Sequence, residues 1–262
     1  MAADSGKIDP MHQFTIEPLF GTDHLSIAGY NIAFTNSALW MVITGLVLWV
    51  FMLGGMKRQV IPGRWQAAVE SMTSMVSNLL VANMGEVGRK YLPYVFTLFM
   101  FILFANLLGL MPIGVFGAHP FTFTSHFTVT GVLAILSFSI VLIVGFWKHK
   151  LHFFSLFVPH GTPLPMIPVI FPIELISFLV RPFSLGLRLF VAMTAGHVLL
   201  KVLAGFVINA SNAGPEFGLT VGTASFILMI GISALEMLVA AIQAYVFALL
   251  TSVYLNDAEN LH

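Results

Sequence analysis

The sequence predicts an all-α polytopic membrane protein, and three observations carry that reading. Hydrophobic residues make up 58% of the chain and charged residues only 8%, against roughly half and a quarter in soluble domains. Mean hydropathy is +0.95. The apolar tracts, rich in phenylalanine, are long and continuous, without the alternation over about ten residues that an outer-membrane barrel requires. Eleven basic residues against eleven acidic ones leave no net charge, which removes any general electrostatic basis for binding nucleic acid. The absence of cysteine excludes disulfides, thiolate metal sites and cysteine nucleophiles.

The elements follow in chain order. The opening MAADSGKIDP lacks a basic region and short apolar core, so residues 1–36 are expected to remain as an N-terminal segment on the outer side. A crossing takes about 20 apolar residues at 1.5 Å each, which places spans near 37–55, 92–112 and 128–147. Between the first two, Trp65, Val69, Met72, Val76, Leu79 and Leu80 recur at helical spacing, while the other face is too polar to span. Residues 62–90 therefore read as a cytoplasmic interfacial helix, lying on lipid or receiving a soluble subunit.

Two tracts of about 40 residues follow, Pro168 to Asn209 and Gly218 to Leu255. Each would run about 60 Å as a helix, twice the ~30 Å hydrocarbon core. Between Arg188 and Lys201 the only turn signal is Gly196, so long tilted helices are favoured over two pairs of short spans. The polar stretch NASNAGPE, residues 209–216, joins them, making 168–255 a long helical hairpin. No long linker, low-complexity tract or repeat interrupts the chain, so 1–262 reads as one membrane domain. Lys57, Arg58, Arg64, Arg89 and Lys90 fall between spans one and two, and Lys148 and Lys150 follow span three. The loops near 113–126 and 209–217 carry no Lys or Arg. Five crossings then put the N-terminus outside and the C-terminus in the cytoplasm.

The informative residues are the ionisable ones inside these tracts. An arginine at a helix centre costs roughly 2.5 to 3.5 kcal/mol on insertion scales, which several leucines or phenylalanines offset. In PFSLGLRLFVAM, residues 182–193, Arg188 can insert, but insertion does not explain it. Glu174, Arg181 and Arg188 are spaced by seven and share a stripe, with Ser184 one turn before Arg188. His197 lies nine residues on and faces nearly the opposite side, with Lys201 a turn beyond it. The last tract has its own polar line of Glu236, Gln243 and Tyr254. No acid is placed by spacing to neutralise Arg188, so its carboxylate is expected from another subunit, although Arg181, Lys201 and Glu174 have ordinary roles open to them as interfacial or helix-tying groups.

Other chemistry has little support. His149 and His152 have a spacing that suits a metal, but no acid sits beside them. Glycine-rich phosphate loops, HExxH and GxSxG are all absent. No metal or cofactor is expected.

FSLGLRLFVAMTAGH, residues 183–197, followed by LEMLVAAIQAYVFALLTSVYL, residues 235–255, resembles the membrane-embedded a subunit of rotary ATP synthases. ANLLGLMP, residues 105–112, agrees with that family's second-span motif. The resemblance covers nearly the whole chain and is most specific in the last 90 or so residues. It implies a bacterial inner-membrane stator that carries protons past a rotating ring of c subunits and is held by b-type peripheral-stalk subunits and the rest of the complex. Such a subunit belongs to a translocating enzyme without holding a nucleotide site. Arg188 matches the essential arginine and Gln243 the glutamine near it. His197 and Glu236 match an ionisable pair of the outer half-channel, and Glu174 and Ser184 match polar positions of the cytoplasmic path. Tyr254 continues the Gln243 face. Many members carry asparagine four residues after the arginine, where this chain has Ala192 preceded by Val191, so the outer path is lined differently and Asn106 or another polar group is expected to contribute. The runner-up reading is an independent secondary transporter whose Arg188 binds an anionic substrate. It requires inverted repeats, and the two halves do not match.

Overall fold

The computed structural model describes residues 14–16, 18, 26–27, 30–31, 33–56, 61–111, 121–150, 153, 164–212 and 215–260. Most of the N-terminal segment, Lys57, Arg58 and His152 lie outside them. Among the described residues six α-helices run in the order α1 (Asn36–Gly55), α2 (Arg64–Met84), α3 (Leu92–Leu110), α4 (Phe127–His149), α5 (Ile167–Asn212) and α6 (Pro215–Glu259). A two-residue antiparallel pairing joins β1 (Ser26–Ile27) to β2 (Tyr30–Asn31). Five helical stretches among the described residues are long and apolar enough to cross a membrane. In that setting every backbone polar group needs an internal partner, which helices supply.

The helix boundaries have local causes. Thr35 precedes α1, and its hydroxyl oxygen accepts the Ala38 amide at 3.4 Å, an N-cap. At the end of α2, Gly85 adopts φ +67°, a left-handed conformation that favours glycine, and its amide bonds back to the Val81 carbonyl. A 3-10 segment, Gly85–Tyr91, then leads into α3. The last two tracts are each one unbroken helix of 46 and 45 residues, longer than the sequence limits of 168–209 and 218–255. Polarity alone misplaced the turn. Asn209 to Asn212 continue α5, and Pro215 opens α6, where a missing amide hydrogen costs nothing. Pro172 and Pro182 sit inside α5, as membrane helices tolerate when neighbours satisfy the freed carbonyls.

The chain divides into two compact units. The first comprises the described residues of Met1–Leu46, Leu103–His126 and Phe190–Ile242. Its interior mixes Met193, Leu203 and Ala240 with Thr44, Asn106, Thr122, Thr124, Ser125 and Glu236, all buried. The second comprises Val47–Ile102, Phe127–Leu189 and Gln243–His262. Apolar side chains fill it, among them Leu80, Val95, Met100, Phe153, Phe247 and Leu255. Phe138 and Phe178 meet at 4.8 Å between ring centroids, and Phe146 and Phe153 at 4.7 Å. Lipid is as apolar as leucine, so helices associate in a membrane through close packing rather than water exclusion. Gly186 on α5 accordingly lies against α4, where an added Cβ would fall 3.2 Å from the Thr130 carbonyl oxygen.

Along α2, Val69, Val76, Leu79 and Leu80 are buried and Met72 is half-buried, so much of the apolar face that the sequence reading laid on lipid packs within the chain. Trp65 departs from the pattern. It is exposed, and its indole Nε1–H donates to the Phe51 carbonyl at 2.9 Å, so the ring lies over the end of α1 instead of entering the core.

Candidate functional site

In the first unit, α5 and α6 bring His197 and Glu236 together. His197 Nδ1 lies 3.8 Å from Glu236 Oε1, with both side chains largely hidden. Gly196 makes the approach possible, because a Cβ on it would collide with the Glu236 carboxyl group. The glycine that the sequence offered only as a weak turn signal is a point of close contact inside a continuous helix.

Both Glu236 carboxyl oxygens are buried without a hydrogen-bond partner among the described residues. Unpaired buried polar atoms are costly, by roughly 1–3 kcal/mol each and more when charged. A site that keeps them calls for water or a proton. Asn106, fully buried on α3, donates from Nδ2 to the Ala240 carbonyl at 3.3 Å and leaves Oδ1 without a partner. Thr124 and Ser125 add two more buried hydroxyl oxygens in the same condition.

The other ring nitrogen of His197 meets a residue that the sequence did not single out. Thr122 Oγ1 lies 2.8 Å from His197 Nε2. Thr122 belongs to the FTFTSH segment, residues 121–126, where no regular apolar pattern marks one threonine above the next.

In the second unit Arg181 and Arg188, one stripe on α5, have different surroundings. Arg181 Nη1 donates to Asp257 Oδ2 at 2.7 Å, and its guanidinium lies over the rings of Phe178 and Tyr254 at 5.4 and 5.2 Å. Arg188 is exposed and forms no ion pair among the described residues. On the helix wheel it shares its stripe with Glu174, Ser177, Arg181 and Ser184, and exposed Val180 and Val191 flank that stripe. Tyr254 is near enough to feel the charge of both arginines. Gln243 and Glu174 are half-buried, and neither bonds directly to Arg188. The Ser184 hydroxyl donates to the Arg181 carbonyl at 3.0 Å, inside its own helix.

A second buried acid also escaped the sequence reading. Glu259 accepts from Lys90 Nζ at 2.8 Å, Lys148 Nζ at 2.7 Å and the Tyr91 hydroxyl at 2.7 Å. His149 Nε2 is 3.1 Å from the Glu259 carbonyl. No group of three or more metal-ligating side chains occurs among the described residues.

Five membrane-length apolar helices define a multi-pass helical membrane protein, and its interior carries ionisable side chains. A family model described as the ATP synthase A chain matches residues 38–256. A relative from Erythrobacter litoralis named ATP synthase subunit a is 75% identical over 262 residues, all of both chains. One of the same name from Novosphingobium aromaticivorans is 75% identical over 257 residues, 98% of this chain and 99% of its own. Another from Zymomonas mobilis is 61% identical over 268 aligned positions, 99% of this chain and all of its own. The chain belongs to the ATP synthase A chain family and is a multi-pass bacterial membrane protein.

Proposed function

We propose that this chain is the stator of a rotary ATP synthase that hands protons to and from a ring of c subunits, with Arg188 as the cation that meets each passing carboxylate. The observation that carries the reading is the contrast within one stripe of α5. Arg181 has its acid within the chain, whereas Arg188 is exposed and has no acid partner among the described residues. An intramembrane arginine needs an acidic partner or water, and a partner on another subunit meets that need.

The mechanism follows from solvation. A protonated c carboxylate is neutral and tolerates lipid, but the ionised form is too costly there and is drawn to Arg188. Two access paths serve the ring. The outer one ends at His197 and Glu236, with Asn106 beside it, and the cytoplasmic one follows Glu174 and Ser184. Gln243 and Tyr254 line the arginine's surroundings from α6. The guanidinium keeps its proton at all usable pH, so it repels a proton attempting the direct route and prevents a leak. A membrane potential worth ~2.3 kcal/mol per charge per 100 mV then biases rotation.

In this reading the N-terminus is outside, the C-terminus is cytoplasmic, and 62–90 lies at the cytoplasmic interface near the b-type peripheral stalk. The chain holds no nucleotide site, needs no cofactor and moves protons only as part of the assembled complex.

ATP-driven proton pumping and passive leak, measured in membrane vesicles with assembled Arg188→Ala complex, test the proposal. Pumping is expected to fall by roughly 100-fold or more, by analogy with loss of other essential charge-stabilising groups, with leak increased. Normal pumping and low leak would reject Arg188 as the coupling cation.

A further inference from the structure

We infer that Thr122 is a positioning residue for His197, a role that rests on reading His197 and Glu236 as proton carriers. Its hydroxyl holds Nε2 of the ring, at 2.8 Å, while Nδ1 is turned toward Glu236. The two nitrogens of a neutral imidazole are unlike, one donor and one acceptor, and the bond made by one fixes the state of the other.

A hydroxyl suits this position because it both donates and accepts. With Glu236 ionised, the favoured tautomer carries hydrogen on Nδ1, facing the carboxylate, and Thr122 donates to Nε2. With Glu236 protonated, Nδ1 is the acceptor and Nε2–H donates to Thr122. The 3.8 Å separation is longer than a hydrogen bond, so a proton passes from Glu236 to Nδ1 only when the two groups close up or a water bridges them; an O–H bond of Glu236 then breaks and an N–H bond on Nδ1 forms. The resulting imidazolium still donates from Nε2 to Thr122. The ring therefore holds the same orientation in each of these three states, with its Nδ1 edge toward the carboxyl group.

Thr122 is itself held in place. A Cβ on Gly109 would collide with its side chain, so it lies directly on the α3 backbone. Its carbonyl accepts the Ser125 amide at 3.0 Å, closing a 3-10 turn over Phe123–Ser125. The Ser125 carbonyl accepts the Thr194 hydroxyl of α5 at 3.3 Å, one turn before His197. The turn is thus tied both to α3 and to the helix whose histidine it orients. Phe123, almost fully buried, anchors its centre.

The test is ATP-driven proton pumping in membrane vesicles, normalised to assembled complex, for Thr122→Val and Thr122→Ser. Valine keeps the shape against Gly109 and removes the hydroxyl, and serine restores the hydroxyl. Thr122→Val is expected to slow pumping about tenfold, the scale of one buried hydrogen bond, with Thr122→Ser within about twofold of native. In a His197→Ala background, Thr122→Val is expected to add nothing. Native rates in both single variants, equal losses in both, or a further loss in the His197→Ala background would each overturn the role. Native pumping in His197→Ala alone would remove the reading beneath it, an outcome distinct from slow His197→Ala with native Thr122→Val, which defeats only the role of Thr122.

Discussion

Glu236 and Glu259 are both glutamates on α6, and each is 4% exposed, yet the chain treats them oppositely. Glu259 accepts three hydrogen bonds, two of them from lysine ammonium groups. Glu236 has no donor on either oxygen among the described residues, and its nearest ionisable neighbour is a histidine 3.8 Å away. A carboxylate bonded on both oxygens, twice by ammonium groups, is fixed in charge and place. One left without donors is free to take up and release a proton, and surroundings that keep it so carry a cost that packing alone does not require. Burial therefore does not distinguish the two acids, and hydrogen-bond accounting does. The same test separates Arg181, paired with Asp257, from the exposed Arg188.

The strongest way to break the comparison is Glu236→Gln, which keeps shape and removes the exchangeable proton. Pumping per assembled complex is expected to drop by roughly 100-fold, the lower range for losing a general acid or base. Native pumping in proton-uptake assays would place Glu236 with Glu259 among structural groups.

A smaller change sharpens it. Gly196→Ala leaves every ionisable group in place but fills the space that the Glu236 carboxyl occupies. The helix itself gains, since alanine is favoured over glycine by about 1 kcal/mol. Pumping is expected to fall about tenfold, from displacement of the acid from His197, while thermal stability holds or rises. Slower pumping accompanied by loss of assembled complex would instead mark Gly196 as a packing residue.

Much of this was legible in the sequence because the lipid environment is so restrictive. Long apolar tracts have few structural solutions, and charges inside them stand out, which is why α1, α3 and α4 could be placed and Arg188, His197 and Glu236 singled out as candidates. The ends of α5 and α6 were not, since Asn209 to Asn212 are polar but helical and polarity does not by itself stop a helix. Thr122 was missed because its role depends on Gly109 and His197, 13 and 75 residues away in the chain, and a threonine in a loop has no period to betray it. Glu259 was missed for a related reason. It lies just past the apolar tract, where a charged residue looks solvated, and its partners Lys90 and Lys148 had been counted only as signs of orientation.

Glu259→Gln is the smallest perturbation to pumping and the clearest control. An amide of the same shape still accepts on one oxygen, so the side chain keeps part of its bonding to Lys90, Lys148 and Tyr91. It loses the negative charge between two ammonium groups, each about half exposed at 50% and 46%, so solvent screens much of the difference. The expected cost is about 1–2 kcal/mol of stability, read as a lower temperature at which the assembled complex loses α6 from protease protection. Pumping per assembled complex is expected to remain within about twofold of native. Glu259 ties the last turn of α6 to residues preceding α3 and ending α4, so the change loosens an anchor and leaves His197 and Glu236 untouched. A pumping loss comparable to that of Glu236→Gln, with stability unchanged, would mean that a carboxylate bonded on both oxygens also handles protons, and hydrogen-bond accounting would no longer separate the two acids.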